Sequence, residues 1–245
     1  MPLKITNSVK YDSSVNILGG IPDYSVMLDF ICATYGNGAA GEGAFSFRTE
    51  KSFTRFVAAI EKSILVFSSE KHRTMFFEAE SDKSLSVAEK MIVLFWQLTY
   101  SNELFRRISS DVFMRAIYSG RISVSAEDVL AFLRQLKENE SKEFDWSEST
   151  LKVAASKYLT ILKKMGLAEG AVEKKIVHPV VTDRLFVYFI RFVQVVCPED
   201  KTLDNPYMIF GFFEKSYAIK RLKKISNVEF WNISQIGNDV TIDLK

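Results

Sequence analysis

Cysteine and histidine are scarce in this sequence of 245 residues, which has two of each. Cys32 and Cys197 stand far apart and form no CxxC pair, which argues against a disulfide scaffold and fits a reducing compartment. Both are expected to pack as small apolar residues. His72 and His178 lie at metal-ligand spacing neither with each other nor with the cysteines, so no zinc site is spelled out. Charge of one sign is lacking as well: 32 basic and 30 acidic residues leave +2. No global field announces nucleic acid, and any basic surface must be local. Long apolar runs are also missing. A spanning helix needs about 20 mostly apolar residues, whereas MIVLFWQLTY (91–100) is too short and LFVYFIRFVQVVC (185–197) is interrupted by Arg191 and Gln194. The opening MPLKITNSVKYDSS has no signal-peptide core. The expectation is a soluble, cytoplasmic protein with no membrane partner.

Catalytic constellations are equally thin. GxGxxG occurs at Gly36, Gly38 and Gly41, but a dinucleotide fingerprint needs a preceding strand and a βαβ setting, and here a helical pattern precedes it. A flexible loop is the better reading. There is no Walker lysine loop, and neither histidine sits near a serine in a nucleophile motif. His72, in SSEKHRTMFFEAE, is read as part of an exposed polar turn, and His178 before Pro179 as a strand-end residue. Carboxylates are numerous and unpatterned, which leaves an acid–base pair without support. No enzyme, cofactor, metal or small-molecule substrate is expected.

What the sequence does contain is helical periodicity. Its length suffices to bury about 70 to 75% of the unfolded surface, in one large or two modest domains. Helices are expected over Pro22–Thr34, over Ser52–Phe67 with Phe53, Phe56, Val57, Ile60, Ile64 and Phe67 as the stripe, and over 85–99. The last is apolar on nearly every side from Met91 to Trp96, the mark of a central buried helix. A short helix near 109–118 follows, then one over 126–138 with Ser125 and Asp128 as a capping box and Val129, Leu130, Leu133 and Leu136 inward. Glu138 to Glu143 forms a polar connector.

The stretch DWSESTLKVAASKYLTILKKMGLAEG (145–170) is the most informative. Either Asp145 with Glu148, or Ser147 alone, can cap its first turn, and Gly166 stops it. With about 100° per residue, Lys152, Lys163, Ser156, Ser149, Thr160, Lys164 and Lys157 fall in that order within an arc of about 140°, interrupted only by Val153. The other side carries Ile161, Ala154, Met165, Tyr158, Leu151, Leu162, Ala155 and Leu159. One face thus suits a core and the other offers four ammonium groups among three hydroxyls, with no carboxylate after Glu148. A solvated face and cations placed to suit the helix dipole are the plain alternative.

Beyond Gly166, LAEGAVEKKIVHP reads as a small β-hairpin carrying Lys174 and Lys175, and a helix from Asp183 to Val196 follows. The arrangement recurs in the tail. KSYAIKRLKKISN (215–227) is a basic helix with Lys215, Lys220, Arg221, Lys223 and Lys224, and Gly237-Asn238 separates two strand-like runs. A basic helix can grip phosphates or cover a neighbouring core with its lysine stems. Phe230 and Trp231 are either core or a stacking platform for unpaired bases. In winged-helix domains, a helix with one cationic face enters the DNA major groove and the hairpin after it reaches the backbone. Arginine and asparagine, the better base readers, are absent from the 147–165 face, so mainly backbone contact with weak sequence preference is expected.

The run SAEDVLAFLRQLKENESKEFDWSESTLKVAASKYLTILKKMGLAEG (125–170), continued by KKIVHPVVTDRLFVYFI (174–190), resembles the BrxA family of BREX (bacteriophage exclusion) systems. WSEST at Trp146–Thr150 is the most distinctive element, and NILGGIPDYSVMLDFICATYG (16–36) resembles the family's N-terminal glycine pair and first helix. The resemblance implies a mostly helical, non-enzymatic bacterial protein encoded among phage-defence components, binding DNA through helix-turn-helix or winged-helix elements. Carried over by position, binding falls to Ser149, Lys152, Ser156, Lys157, Thr160, Lys163 and Lys164, with Lys174 and Lys175 as the wing. Lys220, Arg221, Lys223 and Lys224 join them on charge alone.

The expected fold is mainly α: a helical bundle with winged-helix or helix-turn-helix-like elements and short β-hairpins. An N-terminal helical domain over 1–120 would precede a winged-helix-like domain with a hairpin tail over 121–245. Double-stranded DNA is the expected partner, with other BREX components possible. Two alternatives stand beside it: an assembly adaptor docking on other defence proteins, and an RNA-binding helical protein.

Overall fold

The structure, a computed structural model, describes residues 11–36, 49–171, 173–224, 227–237 and 239–245. Gly38 and Gly41 of the GxGxxG run lie outside the described residues. In chain order the elements begin with α1 (Ser14–Leu18), α2 (Tyr24–Tyr35), α3 (Glu50–Ser63), α4 (Glu70–Ser81) and α5 (Val87–Ser101). Then come α6 (Glu103–Ile108), a π-helical turn (Ser109–Met114), α7 (Arg115–Tyr118), β1 (Ser123–Val124), α8 (Ala126–Asn139) and α9 (Glu148–Lys164). The remainder is β2 (Ala168–Glu169), β3 (Lys174–Ile176), α10 (Asp183–Val196), a 3-10 turn (Met208–Gly211), α11 (Lys215–Leu222), β4 (Trp231–Ile236) and β5 (Asp239–Leu244). The fold is mainly α, and the strands among the described residues form two small antiparallel sheets. Among the described residues no helix is long and apolar enough to cross a membrane.

Two compact units emerge, each drawn from two stretches of chain: Met1–Val66 with Leu94–Val177, and Phe67–Val93 with His178–Lys245. The boundary falls inside α5, whose residues Met91 to Trp96 are all buried, as its all-round apolar pattern requires.

In the first unit, Phe95 of α5 meets the edges of Phe105 and Phe113 at ring distances of 5.7 and 6.2 Å. The helix expected over 109–118 is the latter part of a longer one that begins at Glu103. Asn102 caps that start by accepting from the Phe105 amide at 2.9 Å. The extra residue of the π turn keeps Ser109, Val112, Phe113 and Met114 all buried. Ser125 and Asp128 close the expected capping box on α8, whose Val129, Leu130, Leu133 and Leu136 are buried. The first sheet has the order β1-β3-β2, with Val124 opposite Lys174 and Ala168 opposite Ile176. Phe67 lies beyond the end of α3, and Phe53 is left half-exposed at the margin of the stripe.

In the second unit, the stretch read as an exposed polar turn around His72 is α4. Ser69 caps it by accepting from the His72 amide at 3.2 Å. Glu70, Lys71, Thr74 and Glu78 face out, whereas His72 is fully buried, edge-on to Phe67 and Phe192 at 5.3 and 5.5 Å. The Ser68 amide donates to His72 Nδ1 at 3.2 Å. The helix over Asp183–Val196 and the hairpin about Gly237 both form where expected. Gln194 of α10 holds the hairpin through the Ile242 carbonyl at 2.6 Å. Trp231 is core, donating its indole N–H to the Leu222 carbonyl at 3.0 Å, so it offers no stacking platform.

Glu80, on the inward side of α4, is buried with neither carboxylate oxygen hydrogen-bonded. Burial raises its pKa well above the ordinary carboxylate range and outweighs Lys90, whose ammonium binds the Glu80 backbone carbonyl. A carboxyl with a raised folded pKa stabilises fully only below its unfolded pKa, and that stability is lost as pH rises through the folded one. Glu80→Gln removes this loss. Urea unfolding should show the variant gaining on the parent with rising pH from about 4.5, by up to about 1.4 kcal/mol per pH unit. A pH-independent difference would mean that Glu80 folds ionised.

Candidate nucleic-acid interface

α9 is fixed at both ends by local chemistry. Of the two capping options, Ser147 is used: its hydroxyl accepts from the Thr150 amide at 3.3 Å. Asp145 pairs instead with Lys137 at 2.9 Å. At the other end Gly166 takes φ of 71°, and the Leu167 amide returns to the Leu162 carbonyl at 2.9 Å while the Gly166 amide binds Lys163 at 3.1 Å. This is a Schellman closure, which needs the left-handed residue that glycine supplies.

The inward face of α9 buries Leu151, Ala154, Ala155, Tyr158, Leu159, Ile161 and Leu162. Tyr158 is the deepest anchor: its ring lies 5.3 Å from that of Phe105, and its hydroxyl pairs with Ser109 of the π turn at 3.0 Å. The expected outward arc therefore does face outward, but its members differ. Ser149, Lys152, Ser156 and Lys163 are exposed, and Val153 among them is 46% exposed. Thr160 turns its hydroxyl back to the Ser156 carbonyl at 2.9 Å, as threonine does in mid-helix. Lys152 lies 4.0 Å from Glu148, whose carboxylate is gripped by Arg134 of α8 and thereby held below the usual range.

Lys157 and Lys164, at one margin of the arc, are half-buried under a strap formed by residues 11–21. Tyr11 pins one end of the strap by donating to Glu140 at 2.6 Å and by meeting Phe144 edge-on at 5.0 Å. At the other end Lys164 Nζ donates to the Gly19 carbonyl at 3.0 Å and also to that of Ile21. Burial lowers the Lys164 pKa, with Lys157 adding to the effect. Gly19 lies so close that a Cβ there would stand 2.7 Å from Lys157 Cβ and 2.8 Å from its carbonyl oxygen.

The hairpin uses its cations in a similar way. Lys174, expected on an outer wing surface, is only 8% exposed, because β3 is the central strand and its side chain folds back to the carbonyls of Gly170 (2.9 Å) and Ala171. Burial lowers its pKa, and nearby Lys163 lowers it further. Lys163 donates to the same Gly170 carbonyl at 3.1 Å. Lys175 remains exposed.

The tail cluster is in the second unit and is mostly committed internally. Arg221 is buried, donating to the Val181 carbonyl at 2.8 Å and to Asp183 at 2.9 Å with its guanidinium over Phe186. Lys224 joins the same carboxylate, Lys223 donates to Gln235 at 2.7 Å, and Lys215 bridges to Asp204 at 2.7 Å. Both bases hold Asp183 below the usual carboxylate range, Lys224 foremost. Lys220 is exposed. Charge spacing alone suggested an outward basic helix, whereas most of these groups staple α11 to its surroundings.

These features define a small helical protein with an outward, cation-bearing helix followed by a short hairpin. The family model that matches is BrxA, over residues 33–191 of 245, and the chain belongs to that family. Membership associates it with BREX systems. No curated protein and no solved structure matches it. The matched span contains α9 and the hairpin and begins beyond the strap. Sequence reasoning missed the strap, for which the Gly19-Gly20 pair was the available signal, and it missed Arg134 as the partner of Glu148.

Gly19→Ala should destabilise the protein by about 1 to 3 kcal/mol, the range for overpacking a tight contact. Gly20→Ala should cost less, since its Cβ would meet the Ile17 carbonyl at 3.1 Å and that of Asn16 at an ordinary 3.8 Å. Denaturant midpoints compare them, and equal costs would remove the close approach as the reason for Gly19.

Proposed function

We propose that the chain is a non-enzymatic, DNA-binding accessory of a BREX phage-defence system, acting in the cytoplasm through a winged-helix element. The observation that carries this reading is topological. The α6–α7 helix, β1, α8, α9, β2 and β3 follow one another with sheet order β1-β3-β2, the order of a winged helix. In this reading α9 is the recognition helix and the β2–β3 hairpin the wing. Ser149, Lys152 and Ser156, with Lys157 at the margin and Lys175 on the hairpin, are the groups best placed for phosphates. Duplex DNA suits a presented helix better than duplex RNA, whose deep, narrow major groove does not admit side chains. The absence of nucleophile and acid–base motifs from the sequence supports a role without catalysis.

A second reading is favoured by the number of lysines already spent on carbonyls: an assembly adaptor whose α9 face docks on another defence protein. Few available cations also imply modest affinity for DNA. With about three phosphates neutralised, the slope of log K against log salt should be about −3. Lys152→Gln with Lys175→Gln should make it shallower by about 2, measured on a mixed-sequence duplex by fluorescence anisotropy. Absence of binding even at low salt would rule out the DNA reading and leave the adaptor.

A further inference from the structure

We infer that Val153 gives this face a preference for thymine, through contact with the C5-methyl group in the major groove. The inference rests on α9 entering duplex DNA and adds to that reading the base class it recognises. Ser149, Lys152, Val153 and Ser156 stand at i, i+3, i+4 and i+7, one line along the first two turns of α9. All four are exposed, Val153 by 46%. The later turns are occupied differently: Lys157 and Lys164 lie against the strap, Lys163 against the hairpin, and Thr160 against its own helix. The exposed stripe, tied only to its own helix start by Ser149 to the Ser147 hydroxyl at 2.9 Å and Lys152 to Glu148 at 4.0 Å, is thus the N-terminal half of the helix, the part from which recognition helices reach base edges.

Local helix stability does not account for a valine there, since alanine and lysine are better helix formers. Core packing does not account for it either, because the buried face runs through Leu151, Ala154, Ala155 and Tyr158. The major-groove edges of the four bases offer hydrogen-bonding groups and one apolar group, the thymine methyl. The stripe mirrors that inventory in a limited way. It has two hydroxyls, which accept or donate and discriminate little, one ammonium, and none of the arginine, asparagine or glutamine that pair bidentately with guanine or adenine. Val153 is its discriminating element. Branching at Cβ restricts the side chain to few rotamers, so the two methyl groups are presented in a fixed position.

The test uses two duplexes of identical sequence, rich in thymine, one with every thymine replaced by uracil, which deletes only the methyl. The full chain and Val153→Ala are compared on both by anisotropy across a salt series. The wild type should bind the thymine duplex about three- to fourfold more tightly, the amount expected for one buried methyl. Val153→Ala should bind both alike, with the salt slope unchanged. Equal wild-type affinity for the two duplexes would overturn the methyl contact while leaving phosphate binding intact. A thymine preference that persists in Val153→Ala would assign it to DNA shape and overturn the inference as well. Failure to bind either duplex at low salt would remove the DNA reading itself, and the thymine preference with it.

Discussion

The outward chemistry of α9 depends on how its inward face is held, and Tyr158 is the fixed point. Its ring is packed on Phe105 and its hydroxyl is satisfied by Ser109, so a large amphipathic side chain is buried without an orphaned polar atom. Ser109 begins the π-helical turn. The turn departs from ordinary α geometry where α9 packs against it, as π turns often do at positions of special use. Rotation of α9 about its axis would require breaking this hydrogen bond in a dry environment, which is expensive. The polar arc is thereby fixed in direction.

A second theme is the use of lysine ammonium groups against backbone carbonyls. Helix ends and tight turns leave carbonyl groups without partners, and Lys163, Lys164 and Lys174 satisfy such groups at Gly170, Ala171, Gly19 and Ile21. The same residues that look like a binding surface by count therefore act largely as internal fasteners. In the second unit Asp183 plays the corresponding part, collecting Arg221 and Lys224.

Much of this was legible beforehand. The capping box of α8, the extent of α9, the glycine stop, both hairpins and α10 follow from local rules of capping, periodicity and turn chemistry, which act over a few residues. The failures have a common cause. Lys164 and Lys174 are claimed by main-chain carbonyls, which carry no residue-specific signature, and in the case of Lys164 they lie 143 and 145 positions away. His72 was misread because its neighbours in sequence are polar, whereas its burial is decided by Phe67 and by Phe192 of α10, far along the chain. Arg221 was misread for the same reason: nothing near it in sequence announces Asp183.

The strap has a consequence for the order of assembly. β1, α8, α9 and the hairpin are contiguous from Ser123 to Ile176 and can find one another through short loops. The strap instead closes on them across more than 120 residues, through Tyr11 to Glu140 and Lys164 to Gly19. Loop-closure entropy grows with separation, so contacts of this kind form after the local ones and are the first to reopen. A chain made from the N-terminal side can pack α1 on α3 early, but the strap's contacts with Glu140 and Lys164 wait until α9 is complete. The segment is then held by buried Tyr11, Val15, Leu18 and Ile21 as well as by the tyrosine hydroxyl and the lysine ammonium, which makes residues 11–21 the clasp of this unit.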